Sequence, residues 1–191
     1  MQKIPTLFVR SEEVRSLVTD VVTPGCEWVL AGEGVATRKY DGMACAIIEG
    51  QLYKRFEAKD EQLAKKPAPE GAIHVNHDVT TGKHIFWVPV GDGPDDRYFR
   101  EALDNARSLE TFICDGTYEL LGPKVQGNPE HVQEHYLQSH LSAEQFPDVP
   151  RMYEALKAWL YGKDIEGIVF HHPDGRMAKI KLRDFGLKRT P

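Results

Sequence analysis

Cysteine is scarce in this chain: Cys26, Cys45 and Cys114 are the only three in 191 residues. An odd number of widely separated thiols excludes a disulfide framework. It reads instead as reduced, mostly buried cysteine in a reducing compartment. No C-x-x-C pair occurs, which argues against a structural zinc site. No hydrophobic run approaches the ~20 apolar residues of a membrane helix. The opening Met1-Gln2-Lys3-Ile4-Pro5 lacks the apolar stretch of a signal peptide. Repeats and low-complexity segments are missing as well. The expectation is a cytoplasmic chain with no membrane partner. An excess of positive charge is also absent: the net charge is −5, which argues against broad, non-specific nucleic-acid affinity. The basic residues are concentrated late. Residues 175–191 hold Arg176, Lys179, Lys181, Arg183, Lys188 and Arg189 against Asp184 alone. A basic patch on an acidic body suits a protein that grips a few phosphates and then releases them.

What is present is ordinary in bulk, with 41% hydrophobic and 28% charged residues. The length fits one domain by a soft prior of about 150 residues, and it is enough to bury a sizeable core. Ser11 to Asp20 has helical spacing, with Val14, Leu17 and Val18 on one face and Ser11 as N-cap. Trp28 to Arg55 reads as extended, with a hairpin turning at Glu49-Gly50. Residues 57–71 are charged and proline-bearing and read as a loop. Ile85 to Val90 is a strand, broken by Gly91-Asp92-Gly93-Pro94. Asp95 to Leu109 is a helix with Phe99, Leu103 and Ala106 on one face. Thr111 to Leu121 is extended, Lys124 to Asn128 is a polar loop, and Arg151 to Tyr161 is helical. Ile165 to His171 and Met177 to Leu182 form a hairpin across Pro173-Asp174-Gly175. Trp28, Trp87 and Trp159 read as core. Hairpins mixed with helices, without strict β-α-β alternation, predict an α+β fold with antiparallel sheets.

The most informative residues are Lys39-Tyr40-Asp41-Gly42, between two apolar runs. A lysine fixed between strands, beside a carboxylate and a glycine, is placed like a nucleophile. Three further pieces follow in order: Asp115-Gly116-Thr117-Tyr118-Glu119, Glu166-Gly167-Ile168-Val169-Phe170 and Lys179-Ile180-Lys181. Strand alternation puts Lys179 and Lys181 on one face, where both could meet a polyphosphate. Attack by lysine needs the uncharged amine, and free lysine titrates near ~10.4. Neighbouring cations and partial desolvation would favour that form. Asp41 and Gly42 shape the turn that presents Lys39, and Gly42 lets backbone approach a ligand. Glu119 ends a strand rich in aromatic and β-branched residues (Phe112, Ile113, Tyr118), where a carboxylate can hold ribose hydroxyls or a hydrated Mg²⁺. Glu166 stands at the mouth of a buried strand, a position fit for metal or phosphate. His131, His135 and His140 lie close together, but spacings of four and five are poor for zinc.

The ordered set resembles the covalent nucleotidyltransferase superfamily of ATP-dependent DNA and RNA ligases and mRNA capping enzymes. The stretch from Tyr118 to Pro129 is most similar to small single-domain RNA ligases. The resemblance covers roughly residues 28 to 188. It implies a ligase-type nucleotidyltransferase fold, two mainly antiparallel sheets around a nucleotide cleft. It implies a single adenylation domain over residues 1–191, with no OB-fold domain. Lys39 matches the residue that takes AMP from ATP. Glu119, Glu166, Lys179 and Lys181 match the acidic and basic residues of the later motifs, with Glu119 and Glu166 as candidate ligands for Mg²⁺ or Mn²⁺. Arg55 matches an arginine that contacts ribose and the nucleic-acid end, with Lys54 one register step away. Thr37 and Arg38 flank the nucleophile, where backbone groups read the adenine edge. Many relatives carry glutamate where this chain has Thr37. Tyr136 falls in the region that supplies a base-stacking side chain.

The implied activity is ATP-dependent joining of RNA 5′-phosphate and 3′-hydroxyl ends, with DNA as a further substrate, through lysyl-AMP and an adenylated 5′ end. Alternatives are a DNA ligase, another polynucleotide adenylyltransferase or guanylyltransferase, and a non-catalytic module that binds RNA ends.

Overall fold

The computed structural model describes residues 3–109 and 113–190. Thr111 and Phe112, part of the stretch expected to be extended, lie outside the described residues. In chain order the first elements are β1 (Phe8–Arg10), β2 (Val18–Val22), α1 (Glu27–Leu30), β3 (Val35–Lys39), β4 (Met43–Ile48), β5 (Gln51–Lys59) and α2 (Asp60–Lys65). Then come β6 (Ile73–Asp78), β7 (Lys83–Pro89), α3 (Arg97–Ser108), β8 (Gly116–Leu121), β9 (Tyr136–Ser139), α4 (Tyr153–Leu160), β10 (Gly167–His171) and β11 (Met177–Lys181). The fold is mixed α+β, and all the paired strands among these elements run antiparallel. No helix among the described residues is long and apolar enough to cross a membrane.

The chain divides into two compact units, Met1–Lys3 with Asp41–Ser142, and Ile4–Tyr40 with Ala143–Pro191. The first unit is a six-stranded sheet ordered β6-β7-β5-β4-β8-β9. Its strands alternate as period two requires. Cys45, Ile47, Leu52, Tyr118 and Leu120 are buried in one core with Phe99 and Ala102 of α3. The β4–β5 hairpin turns at Glu49 and Gly50, both with positive φ (51° and 74°), the geometry of a tight two-residue turn. Both amides of that turn donate to the Asp115 carboxylate, at 2.7 and 3.0 Å. Asp115 therefore serves as a clamp on the turn.

The second unit has the three-stranded sheet β11-β10-β3 and the two-stranded β1-β2. Ala36, Ile168, Phe170, Ala178 and Ile180 point to one side and are essentially fully buried. They pack with Leu156 and Leu160 of α4, and with Phe8 and Trp28, in a second core.

Three expectations are corrected. Ser11 to Asp20 is not a helix. Its spacing imitates one, but Val18 begins β2 and is buried, while Val14 is 47% exposed. Ser11 Oγ accepts the Val14 amide, closing a local turn, and the β-branched run Val18-Thr19 and Val21-Val22 prefers the extended state. Glu27 to Leu30 is a helical turn overlapping the start of the stretch expected to be extended from Trp28, and it buries Trp28 and Val29. Residues 57–71 are not all loop. β5 continues to Lys59, and α2 follows with Asp60 and Glu61 at its start and Lys65 at its end, charges that suit the helix dipole. Cys114 is exposed, whereas Cys26 and Cys45 are buried; all three are free thiols.

Candidate functional site

Register decides which side chains meet in the second unit. Gly167 of β10 pairs with Lys39 of β3 on one side and Lys181 of β11 on the other. The next row on the same face is Thr37, Val169 and Lys179. The two lysines flank a glycine, so no side chain stands between them. A Cβ on Gly167 would lie 2.1 Å from the Ile180 carbonyl oxygen and 2.7 Å from Lys181 Cα. Only glycine fits this row. Glu166, just before β10, reaches over it: Oε2 accepts from Lys39 Nζ at 2.5 Å, and Oε1 accepts from Lys181 Nζ. The expected common face for Lys179 and Lys181 is present. The second of these lysines is engaged by a carboxylate.

Burial pushes the Glu166 carboxyl upward, but Lys39 and Lys181 together outweigh it and hold it below the ordinary carboxylate range. The folded group thus ionises at lower pH than the unfolded one. Its stabilisation is complete above the usual glutamate value of about 4.3 and is lost as pH falls through the lower folded value. Glu166→Gln should cost about 1–3 kcal/mol at neutral pH, because two ammonium groups lose their partner. The gap between wild type and variant in urea midpoint should shrink steadily below about pH 4.

In the first unit a different row matters. Ala44 pairs with Glu119, and Glu119 with Gln138. Extending the Cys45–Lys54 register by one residue sets Arg55 beside Ala44, and Arg55 pairs with Trp87. Arg55 and Glu119 therefore stand on the face opposite α3, separated by one strand that offers only an alanine. Two strand spacings put their backbones about 10 Å apart. Tyr136, paired with Leu121, shares this face. His140 joins it: its Nδ1 lies 2.9 Å from Thr117 Oγ1 and its Nε2 3.3 Å from Glu119 Oε2. Arg55 gives one bond to Glu57 at 2.7 Å, while its Nε is a buried donor with no hydrogen-bond partner among the described residues. Lys54, one step away, lies on the α3 face and is ion-paired with Asp96. Register thus separates the two candidates and leaves Arg55 with Glu119.

The remaining expected residues have local partners of their own. Arg38 projects to the opposite sheet face from Lys39. Its amide donates to the Glu144 carbonyl at 2.7 Å, and its guanidinium reaches Glu144 Oε2 at 3.4 Å and the Asp164 carbonyl at 3.3 Å. The Thr37 hydroxyl donates to the Val169 carbonyl at 3.3 Å and lies 3.0 Å from His171 Nε2. The Asp41 amide donates to Glu130 Oε1 at 3.1 Å. Gly42 has a local packing reason: a Cβ there would sit 2.2 Å from the Leu120 carbonyl oxygen and 2.9 Å from Glu119 Cγ. His135 is buried, stacked on Tyr98 at 4.5 Å, with Nδ1 3.0 Å from Glu101. It belongs to the α3 packing and does not converge with His140. In the basic tail, Arg189 is bound to Asp164 at 3.0 Å.

Each oxygen of Glu166 carries an ammonium partner, so a cation at this carboxylate would compete with two lysines. The arrangement as it stands does not fit Glu166 as a metal ligand. Glu119 has its His140 contact and no second carboxylate among its hydrogen-bond partners. No family model matches the chain, and no curated protein matches its sequence.

Proposed function

We propose that this chain is an ATP-dependent RNA ligase with a ligase-type nucleotidyltransferase fold, acting through a covalent adduct on Lys39. The observation that carries this reading is the row Lys39–Gly167–Lys181 with Glu166 across it. Residues from three separated motifs come together there on one partly buried sheet face. In the reaction, Lys39 Nζ attacks the α-phosphorus of ATP. A nitrogen–phosphorus bond forms, the bond to the β-phosphate bridging oxygen breaks, pyrophosphate leaves, and the proton released from Nζ passes to solvent water. The AMP then passes to an RNA 5′-phosphate, and the 3′-hydroxyl of the neighbouring strand attacks that phosphate and expels AMP.

Glu166 holds Lys39 in place before the nucleotide arrives. A polyphosphate entering beside Lys179 and Lys181 competes with Glu166 for their ammonium groups, and these cations offset the charge that builds on the α-phosphate oxygens as pyrophosphate leaves. Mg²⁺ or Mn²⁺ carried with ATP would neutralise phosphate oxygens. Arg55, with its open Nε donor, and Glu119 offer a phosphate contact and a hydroxyl contact of the kind a ribose end needs.

The test is the intact mass of protein incubated with ATP and Mg²⁺, then with nicked or single-stranded RNA and DNA. The reading expects a gain of one AMP, no comparable gain from GTP, and sealing of RNA. ATP binding with no covalent gain would instead fit a module that binds RNA ends without catalysis. Lys181→Ala and Lys179→Ala should each slow adduct formation about 10²-fold or more, as loss of a charge-stabilising group does, with the fold unchanged. Unaltered rates in both would remove these lysines from the phosphate site.

A further inference from the structure

A second cluster lies in the six-stranded unit, on the β6–β7 hairpin. His77 and His84 are directly opposite across the two strands. Opposed residues have Cβ atoms about 4.5–5.5 Å apart, a span that one ion can bridge. Asp60, the first residue of α2, lies against both rings. Its Oδ1 is 2.8 Å from His84 Nε2 and 3.7 Å from His77 Nε2. A four-coordinate ion with bonds of about 2.0–2.1 Å separates its ligand atoms by about 3.3 Å, midway between those values. All three ligand atoms lie within 4.8 Å of one another. The carboxylate is fixed independently of the rings: the Asp60 amide donates to the Gly82 carbonyl at 2.9 Å, in the turn between β6 and β7. A Cβ on Gly82 would be 2.5 Å from Asp60 Oδ2, so the turn hugs this carboxylate.

A third histidine completes the pattern. His74 Nε2 is 3.0 Å from His84 Nδ1. A histidine that ligates through Nε2 keeps its proton on Nδ1, and a neighbouring acceptor then fixes ring and tautomer. His74 is placed to be that acceptor. The His77 and His84 rings are stacked 3.9 Å apart at 8°. Parallel rings aim their lone pairs side by side, so ligation requires one ring to turn. The His77 side chain, 34% exposed, has room to do so. The signal in the sequence was His74 and His77 three apart, followed by His84 across a short turn.

We propose that Asp60, His77 and His84 form a binding site for a borderline divalent transition ion such as Zn²⁺, with water in the remaining position and His74 orienting His84. Two imidazoles and one carboxylate favour Zn²⁺, Co²⁺, Ni²⁺ or Cu²⁺ over Mg²⁺ or Ca²⁺, which prefer all-oxygen sites. The ion would tie α2 to the hairpin, and it is independent of the chemistry at Lys39.

The test is titration of metal-free full-length protein with Zn²⁺ alone, by competition with a chromophoric chelator, and with Co²⁺ alone, by visible absorption. One ion per chain is expected, with the Co²⁺ spectrum of a four-coordinate site. His74→Ala should weaken binding about 10–100-fold, as loss of a ring's supporting partner does. His77→Ala and His84→Ala should weaken it further, and Cys114→Ser should leave it intact. His77→Gln repeats the test with a side chain that keeps the strand's polar surface. Failure of the wild type to take up one ion overturns the site. So does full affinity in His77→Gln, or loss of binding in Cys114→Ser.

Discussion

Lys39→Ala is expected to abolish the gain of one AMP proposed for the wild-type protein with ATP. No other residue on the Gly167 row can replace it. Lys181 is the other amine there, and it sits across the glycine on the far strand. The companion variant Lys39→Arg is the sharper probe. It keeps a cation facing Glu166, so the ion pair and local charge survive, but a guanidinium stays protonated and is no nucleophile. Both variants should give no adduct, while only the alanine form loses stability, by about 1–3 kcal/mol from the partner removed at Glu166. Intact-mass measurement and thermal unfolding on the same samples separate the two effects. An adduct that persists in Lys39→Arg would assign the nucleophile to another residue and defeat the proposed function.

Gly42→Ala is the second large effect, and it is expected in stability. The new methyl group would lie 2.2 Å from a backbone carbonyl of β8 and 2.6 Å from Leu121 Cδ2. A strand in the middle of a six-stranded sheet cannot step aside as a flexible side chain would. A cost of about 3 kcal/mol, the upper part of the range for overpacking, is expected. Glu119 Cγ is among the crowded atoms, so the same change displaces the carboxylate on the opposite face from α3. Denaturant unfolding measures the first consequence. A variant as stable as wild type would show that β4 and β8 can part, and that this glycine serves some purpose other than packing.

Local pattern carried much of the fold. The β4–β5 hairpin, α3, α4 and the β10–β11 hairpin were legible because alternation, helical spacing and turn residues all agreed in each. β6 was not, because Ile73-His74-Val75-Asn76-His77-Asp78 is a partly exposed edge strand with few apolar residues to alternate. β9 has only four residues, all half-buried, and offers too short a pattern. The false helix at Ser11 arose where Val14, Leu17 and Val18 had helical spacing while β-branched content pointed the other way. At the candidate site, the shared face of Lys179 and Lys181 followed from period two. The partner of Lys39 did not. Pairing of β3 with β10 joins residues more than a hundred positions apart, and only the register shows that a glycine lies between two lysines. The packing role of Gly42 was hidden for a similar reason. Gly42 is needed by a neighbouring strand, which sequence alone does not place beside it.

That remoteness shapes how the protein is made. The unit containing β4 to β9 is drawn almost wholly from one continuous stretch, whereas the unit containing Lys39 joins Ile4–Tyr40 to Ala143–Pro191. During synthesis the continuous unit has all its strands before β10 and β11 emerge, while β3 waits for distant partners. Closing so long a loop is slow compared with forming hairpins. The nascent lysine is therefore unescorted until β10 and the glutamate before it have left the ribosome, more than a hundred residues after it.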